Sequence, residues 1–533
     1  MRRAILAGAA VVAAAALVSA RTGAATFLSD DDTVRHVLNR VAFGPSPGDV
    51  ARVRQMGVEA YVDQQLRPST IPDERVRGML ESFATLHLGS REIAERYEIP
   101  ALRARLQQQR SASDRTTPSE PQARRPPQAD PGQPQPNVPL LELAEQKMLR
   151  AVYADRQLEE VLTDFWFNHF NVDARKGPTR FMLTEYERDA IRPHVLGRFR
   201  DLLGATAKSP AMLFYLDNWM STAAGATMPA ANRPRRGLAG RARQGTAVPP
   251  RTPDGAGGGP RRPAGLNENY ARELLELHTL GVDGGYTQED VTEVARAFTG
   301  WTIDRPRAGG GFRFAAALHD SGEKVVLGQR LPAGTGQDDG ERVLDILATH
   351  PSTARFIARK LAVRFVGDAP PTTLVDRMAA VFMRTRGDLW AVTSELLHAP
   401  EFLAPDARRA KVKTPFEFVV SSLRALEADV RDARALVRVM DQLGMPLYRC
   451  QPPTGYADAG HAWINTGALV NRMNVALGFA TGAVRGVQVP AVPDPIALLG
   501  EAPSAATRAT VARAESAAQA IALALGSPEF QKR

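Results

Sequence analysis

Residues 267–281, NENYARELLELHTLG, are dense in side chains that can move protons. At helical spacing Tyr270, Leu274 and Leu277 form an apolar stripe, with Asn269, Glu273 and Glu276 as a polar stripe beside it. Glu273 borders the apolar stripe, so its carboxylate is expected to be part-buried. That is costly unless the group is paired, protonated or metal-bound, which makes Glu273 a candidate acid, base or ligand. The opposing reading is structural. Arg272 lies four residues from both Glu268 and Glu276 and can pair with them, while Glu273 finds an arginine elsewhere. His278 falls on a different face and reads as a packed or capping histidine.

Two further stretches carry similar chemistry. His169, within FWFNHF at 165–170, is in register with Leu158, Leu162 and Phe165. An imidazole among aromatics needs partners for both ring nitrogens, so it reads as a general base, a metal ligand or a satisfied core histidine. Asn168 stands beside it as a candidate for substrate binding. His319 and Asp320 open the run HDSGEK at 319–324. Adjacent His and Asp on a turn can supply a ligand or a proton shuttle, and Lys324 can hold an anion. The same composition also suits a plain turn. His, Glu and Asp together suit several divalent metals, so a metal is a candidate cofactor of unspecified identity. There is no zincin motif, paired Cys-x-x-Cys, nucleophile elbow or Walker loop, and no nucleic-acid module.

The elements that must position these groups are mostly helices. Apolar periodicity predicts helices over 34–41, capped by Asp31, Asp32 or Thr33, and over 47–56, 58–66, 140–170, 267–281, 288–301, 351–365, 374–382, 389–397 and 415–426. Asn267 is the expected cap and Gly281 the expected end of the helix bearing Glu273. One hairpin is expected, pairing 312–314 with 324–327 across the turn at 320–323. Residues 108–137, rich in Gln, Pro, Arg and Ser, and 222–265, rich in Gly, Pro, Ala and Arg, lack the apolar residues to offset ordering entropy. The expected fold is mainly α: a single large helical domain over 26–533, with one small β-hairpin and two long disordered insertions.

Arg2 and Arg3 precede an unbroken small and apolar run over 4–17, followed by Val18-Ser19-Ala20. This reads as a cleaved signal peptide over 1–25 and a periplasmic or secreted protein. No second hydrophobic span follows, so no transmembrane segment is expected after cleavage. The single cysteine, Cys450, excludes an internal disulfide. The net charge of +9 comes mostly from eight arginines against Asp254 within 222–265, so it does not argue for a specific nucleic-acid partner. A basic loop of this kind can touch an anionic envelope polymer, although a solvated face without a partner is the commoner meaning of such a run.

Taken in order, several segments resemble the bacterial family known as domain of unknown function 1800 (DUF 1800). They are HVLNRVAFGP at 36–45, FWFNHF at 165–170, PAMLFYL at 210–216, the 267–281 helix and ARAFTGW at 295–301. His319, Asp320, Gly322, Lys324 and His350-Pro351 follow, then Gly455-Tyr456, Trp463-Ile464-Asn465 and Arg472-Met473-Asn474. The resemblance covers nearly all of the chain outside the leader and the two insertions. It implies an exported, mainly helical protein, and an exported partner from a sulfatase-like family encoded beside it. It implies no settled reaction. Similar sequences often carry Phe where this one has His278, whereas His169, Glu268, Arg272, Glu273, His319 and Asp320 match. The leading expectation is an exported hydrolase acting on an envelope or extracellular polymer. One cleft would gather His169, Glu273 and the His319-Asp320 turn: Glu273 or His169 as base on water, Asp320 orienting a histidine, and Arg272, Lys324 and Asn168 binding substrate. The rival is a non-catalytic envelope binding or scaffold protein in which the same groups form a buried network.

Overall fold

Helices begin where the sequence supplies a cap. Asp30 accepts from the Thr33 amide at the head of Asp31–Val41, and Asn267 accepts from the amides of Asn269 and Tyr270. Thr287 and Asp290 form a reciprocal capping box before Gln288–Ala297, and Pro351 opens Pro351–Phe365 after His350. The computed structural model describes residues 30–113, 135–226, 265–490, 494–500 and 503–533. The expected leader at 1–25 lies outside the described residues, as do 114–134 and 227–264, the bulk of the two expected insertions.

The fold is mainly α, and one apolar core runs from Val34 to Phe530. Among the described residues the strands form three two-stranded antiparallel sheets. The expected hairpin is replaced by two separate ones. Trp301–Ile303 pairs with Phe312–Phe314, and Lys324–Val326 pairs with Gln329–Leu331. Trp301 therefore starts a strand and does not end the preceding helix, which stops at Ala297. The turn at 320–323 is occupied by side-chain bonds and closes no ladder. The long periodic run at 140–170 is split into Val138–Tyr153 and Gln157–His169. At the ends of the expected insertions, the helix Ile99–Ser113 continues past residue 108. Thr222, fully buried, donates its amide to the Gly265 carbonyl at 3.2 Å, which closes the base of the second insertion.

Two features of the core position the candidate site. The first is an aromatic cluster around Trp166, fully buried with its indole N–H on the Val195 carbonyl at 3.2 Å. Phe165, Phe170 and Phe199 lie against that ring. The second is a π-helical turn, Leu274–Thr279, which interrupts the helix started by Asn267. There the Leu280 amide reaches back five residues to the Leu275 carbonyl, and the Thr279 hydroxyl donates to the Leu274 carbonyl at 2.6 Å. Such turns shift helical register by about 100° and recur at functional positions. The helix ends at Gly281, whose φ of +85° needs a glycine. Among the described residues, no helix is long and apolar enough to cross a membrane.

Candidate functional site

The end of the helix Gln157–His169 inserts His169 into the wall of a cavity of about 460 Å³. The imidazole is 2 % exposed. Trp166 and Phe170 meet it edge-on, at centroid distances of 5.4 and 4.5 Å. Its Nε2 is 3.1 Å from the His278 carbonyl, the oxygen presented by the end of the π turn. A carbonyl only accepts, so Nε2 carries the hydrogen and Nδ1 is left as a lone pair. That lone pair faces Nζ of Lys360 at 2.9 Å. Burial, and then the nearby Lys360, hold His169 well below the ordinary histidine range, so the ring is neutral.

Lys360 comes from Pro351–Phe365, where Phe356, Lys360, Val363 and Arg364 present one face to the cavity. Burial lowers its ammonium to about 8, against a smaller opposing pull from Asp458. A lysine near neutrality beside a fixed acceptor can work as a base or a nucleophile. The sequence reading missed Lys360. It sits in the basic run Arg359-Lys360, which resembles any solvated helix face. The available signal was its register with Phe356 and Val363.

The cavity is roofed by residues 445–459, and the FWFNHF stretch also holds that roof in place. Asn168 donates to the Tyr456 carbonyl at 2.8 Å and accepts from the Tyr456 amide at 2.7 Å. Asn171 donates to the carbonyls of Cys450 and Pro452, and the Tyr215 hydroxyl to that of Gln451 at 2.6 Å. Gly455 passes so close that a Cβ there would lie 2.2 Å from the Asn168 carbonyl oxygen, at a φ of +73°. Asn168 thus positions the roof with both ends of its amide. Deeper in the cavity Lys147 pairs with Asp164 at 2.6 Å beneath the rings of Phe167, Phe416 and Tyr448. Arg364 is taken up by Glu417, which also holds Arg533 at 2.9 Å. Arg359, exposed at the rim, forms no ion pair among the described residues.

Glu273 lines a different, more open cavity of about 600 Å³ with Asp173, Lys176, Tyr215 and Asn269. It is part-buried, as its place beside the apolar stripe predicts, and among the described residues it has no ion-pair partner. Burial first, then Glu276, raises its carboxyl, with Arg272 opposing. Cys450 and Thr454 face the first cavity while Gln451 and Pro453 face the second, so this segment forms their shared wall. Arg272 donates to Gln288 at 2.7 Å, and Gln288 donates to Glu268 at 3.0 Å. Arg272 thus reaches the next helix and not the glutamates on its own. His278 is buried beside Phe170 and lowered to about 3 by burial, then by Lys360. Its carbonyl does more for the site than its ring.

The His319-Asp320 turn lies on neither cavity. His319 is bonded on both nitrogens, Nδ1 to the Thr299 carbonyl at 2.8 Å and Nε2 to Asp339 at 3.0 Å. With both nitrogens engaged inside the protein, the ring is not free to bind a metal or a substrate. Asp320 makes a two-point contact with Arg296, at 2.9 and 3.1 Å, which holds its carboxyl below the usual range. The residue that orients His319 is therefore Asp339, not the adjacent aspartate. Lys324 is fully buried and spends its ammonium on the carbonyls of Asp320 and Gly322 and on Asp339. The single cleft expected to join all three segments is replaced by two neighbouring cavities and one saturated polar knot. Among the described residues, no three His, Cys, Asp or Glu side chains converge closely enough to hold a metal ion.

No match is found among curated proteins or among solved structures. Residues 36–532 match the family model described as protein of unknown function (DUF1800), and the chain belongs to that family.

Proposed function

We propose that the protein is an exported hydrolase that works in the cavity between His169 and the 445–459 roof, with Lys360 as its base. The observation that carries this reading is the 2.9 Å contact between Lys360 Nζ and a His169 ring whose protonation is fixed by the His278 carbonyl. A lysine near 8 is free amine often enough at neutral pH to take a proton from water as that water adds to a carbonyl carbon. The resulting ammonium returns the proton to the leaving group, so the scissile bond gains the elements of one water and the lysine is regenerated. His169 gains no proton in this cycle. It keeps the amine aimed, and the aromatic walls keep the amine poorly solvated. Arg359 at the rim suits an anionic segment of an envelope or extracellular polymer.

The test uses the purified protein against chromogenic esters, amides and glycosides. Lys360→Met and His169→Phe should each abolish the hydrolysis found, and Glu273→Gln should retain it. The reverse pattern, with loss only in Glu273→Gln, moves the working base to the neighbouring cavity. Unchanged rates in all three variants refute a hydrolytic site at either place. A second reading, a non-catalytic binding or scaffold protein, is favoured by one observation. The His319, Asp339 and Lys324 cluster is satisfied internally, as a network that fixes packing should be.

A further inference from the structure

An apolar face on the outside of the molecule belongs to neither cavity. Among the described residues, large exposed apolar side chains occur singly or in pairs along the chain, except over 464–477. Ile464, Leu469, Val470 and Leu477 gather there, each 43–53 % exposed. They lie on the helix Thr466–Ala480 and on the residues leading into it. One side of that helix, with Arg472, Val475, Ala476 and Phe479, is buried, and the helix packs on Ala517–Gly526. On the other side Gly467, Val470, Asn474, Leu477 and Thr481 follow one another in steps of three and four, all exposed. That is the spacing of a seam that pairs with another helix. Single exposed apolar residues need no explanation, whereas a contiguous row of them marks a contact surface.

Two features choose the partner. Over 462–484 Arg472 is the only charged residue. It is buried, donating to the Gln531 side chain at 2.6 Å and to the Lys413 carbonyl at 2.8 Å. A two-fold contact sets a patch against its own copy, so a charge near the axis would meet its like. This helix exposes none. The second feature is Asn474. Asn465 is used as the cap, accepting from the Ala468 amide, and Asn471 leans on the Gln442 carbonyl at 3.4 Å. Asn474, in the middle of the exposed row, makes no hydrogen bond among the described residues. A side-chain amide both donates and accepts, so Asn474 can pair with its own counterpart. One asparagine within an apolar seam also fixes the register of paired helices. A lipid surface would leave that amide without a partner and would call for cations along the row.

We infer that the helix Thr466–Ala480 is the surface through which two copies of this chain form a symmetric dimer. Asn474 lies beside the two-fold axis and bonds its counterpart, while Val470 and Leu477 are covered by the same side chains of the second copy. The contact adjoins the roof of the His169 cavity. Trp463, just before the helix, donates to the Ala457 carbonyl at 2.9 Å and has its ring 6.1 Å from that of Tyr456. Dimerisation at this face does not depend on hydrolysis in that cavity.

Sedimentation velocity of the full chain, from about 1 to 100 µM, tests this. The expected result is a shift from monomer to dimer with no larger species. Val470→Glu and Asn474→Asp each set like charges across the axis and should weaken the dimer at least tenfold, with Asn474→Asp partly restored at high salt. Met383→Glu, at an exposed apolar residue elsewhere, should leave the dimer unchanged. All three positions are exposed, so the melting temperature of the dilute monomer should match wild type in each variant. A chain that stays monomeric at every concentration overturns the inference. So does a dimer that survives Val470→Glu, since the association would then lie on another surface or on the apolar run at 4–17. Binding to phosphatidylethanolamine–phosphatidylglycerol vesicles that Val470→Glu abolishes, with no dimer in solution, would assign the face to a lipid surface instead.

Discussion

Lys360→Met offers the sharpest check, because the site reading and the stability reading give opposite signs. In the folded chain the ammonium is disfavoured and titrates near 8, against 10.5 in the open chain. At about 1.4 kcal/mol per pKa unit the full shift is worth roughly 3 kcal/mol. The side chain retains some exposure to the cavity, so solvent screening reduces this to roughly 2 kcal/mol. Loss of the hydrogen bond to His169 takes back about 1 kcal/mol. Lys360→Met should therefore be more stable than wild type by about 1 kcal/mol at pH 7, a rise of about 1–2 °C in melting temperature for a chain of this size. Below pH 8 both folded and unfolded lysine are charged, and the penalty is constant. Between pH 8 and 10.5 the unfolded chain holds the proton and the folded chain does not, so wild-type stability gains on the variant as pH rises. The assay is thermal unfolding of both proteins from pH 6.5 to 10.5. The difference should be flat and positive up to pH 8, then fall through zero to about −1 kcal/mol by pH 10.5, where the burial penalty is gone and only the lost hydrogen bond remains. A variant less stable at pH 7, or a difference independent of pH, would refute the account of a strained working lysine held in place for function.

Other perturbations separate structural from working groups. Lys324→Met leaves the fully buried Asp339 without its lysine, and should cost about 3–5 kcal/mol in urea unfolding while the rate per folded molecule stays unchanged; lost activity at unchanged stability would return the 319–324 turn to the site. Gly455→Ala must move the roof, because the new Cβ meets the Asn168 carbonyl at 2.2 Å. It should cost about 1–3 kcal/mol and speed amide exchange over 450–457, and unchanged exchange there would contradict the roof's description. Burial pushes the Glu417 carboxyl up, but Arg364 and Arg533 outweigh it and hold the group well below its usual 4.5. Its contribution is present above that pH and is lost as pH falls below it, so Glu417→Gln should destabilise by about 3–5 kcal/mol at pH 7 and flatten the acid limb of the stability curve. An acid limb identical to wild type would show that another carboxylate sets it.

What could be read from sequence was local. Asn267 as a cap, Gly281 as an end and the bounds of 351–365 follow from short-range periodicity and capping, where a residue's role depends on neighbours within one or two turns. The part-buried state of Glu273 and the aromatic surroundings of His169 also followed from spacing, because a residue on an apolar stripe is carried inward with it. Tertiary structure alone decided which polar groups meet. Lys360 reaches His169 across 191 residues, and Asp339 rather than the adjacent Asp320 orients His319. The π turn at 274–279 rotates the helix past Glu273, and no helical wheel predicts it because a constant 100° step cannot represent one inserted residue. Helix formation depends on backbone bonds four residues apart, whereas a site depends on the few long-range contacts that survive competition among all the buried polar groups. That competition is settled only when the core closes.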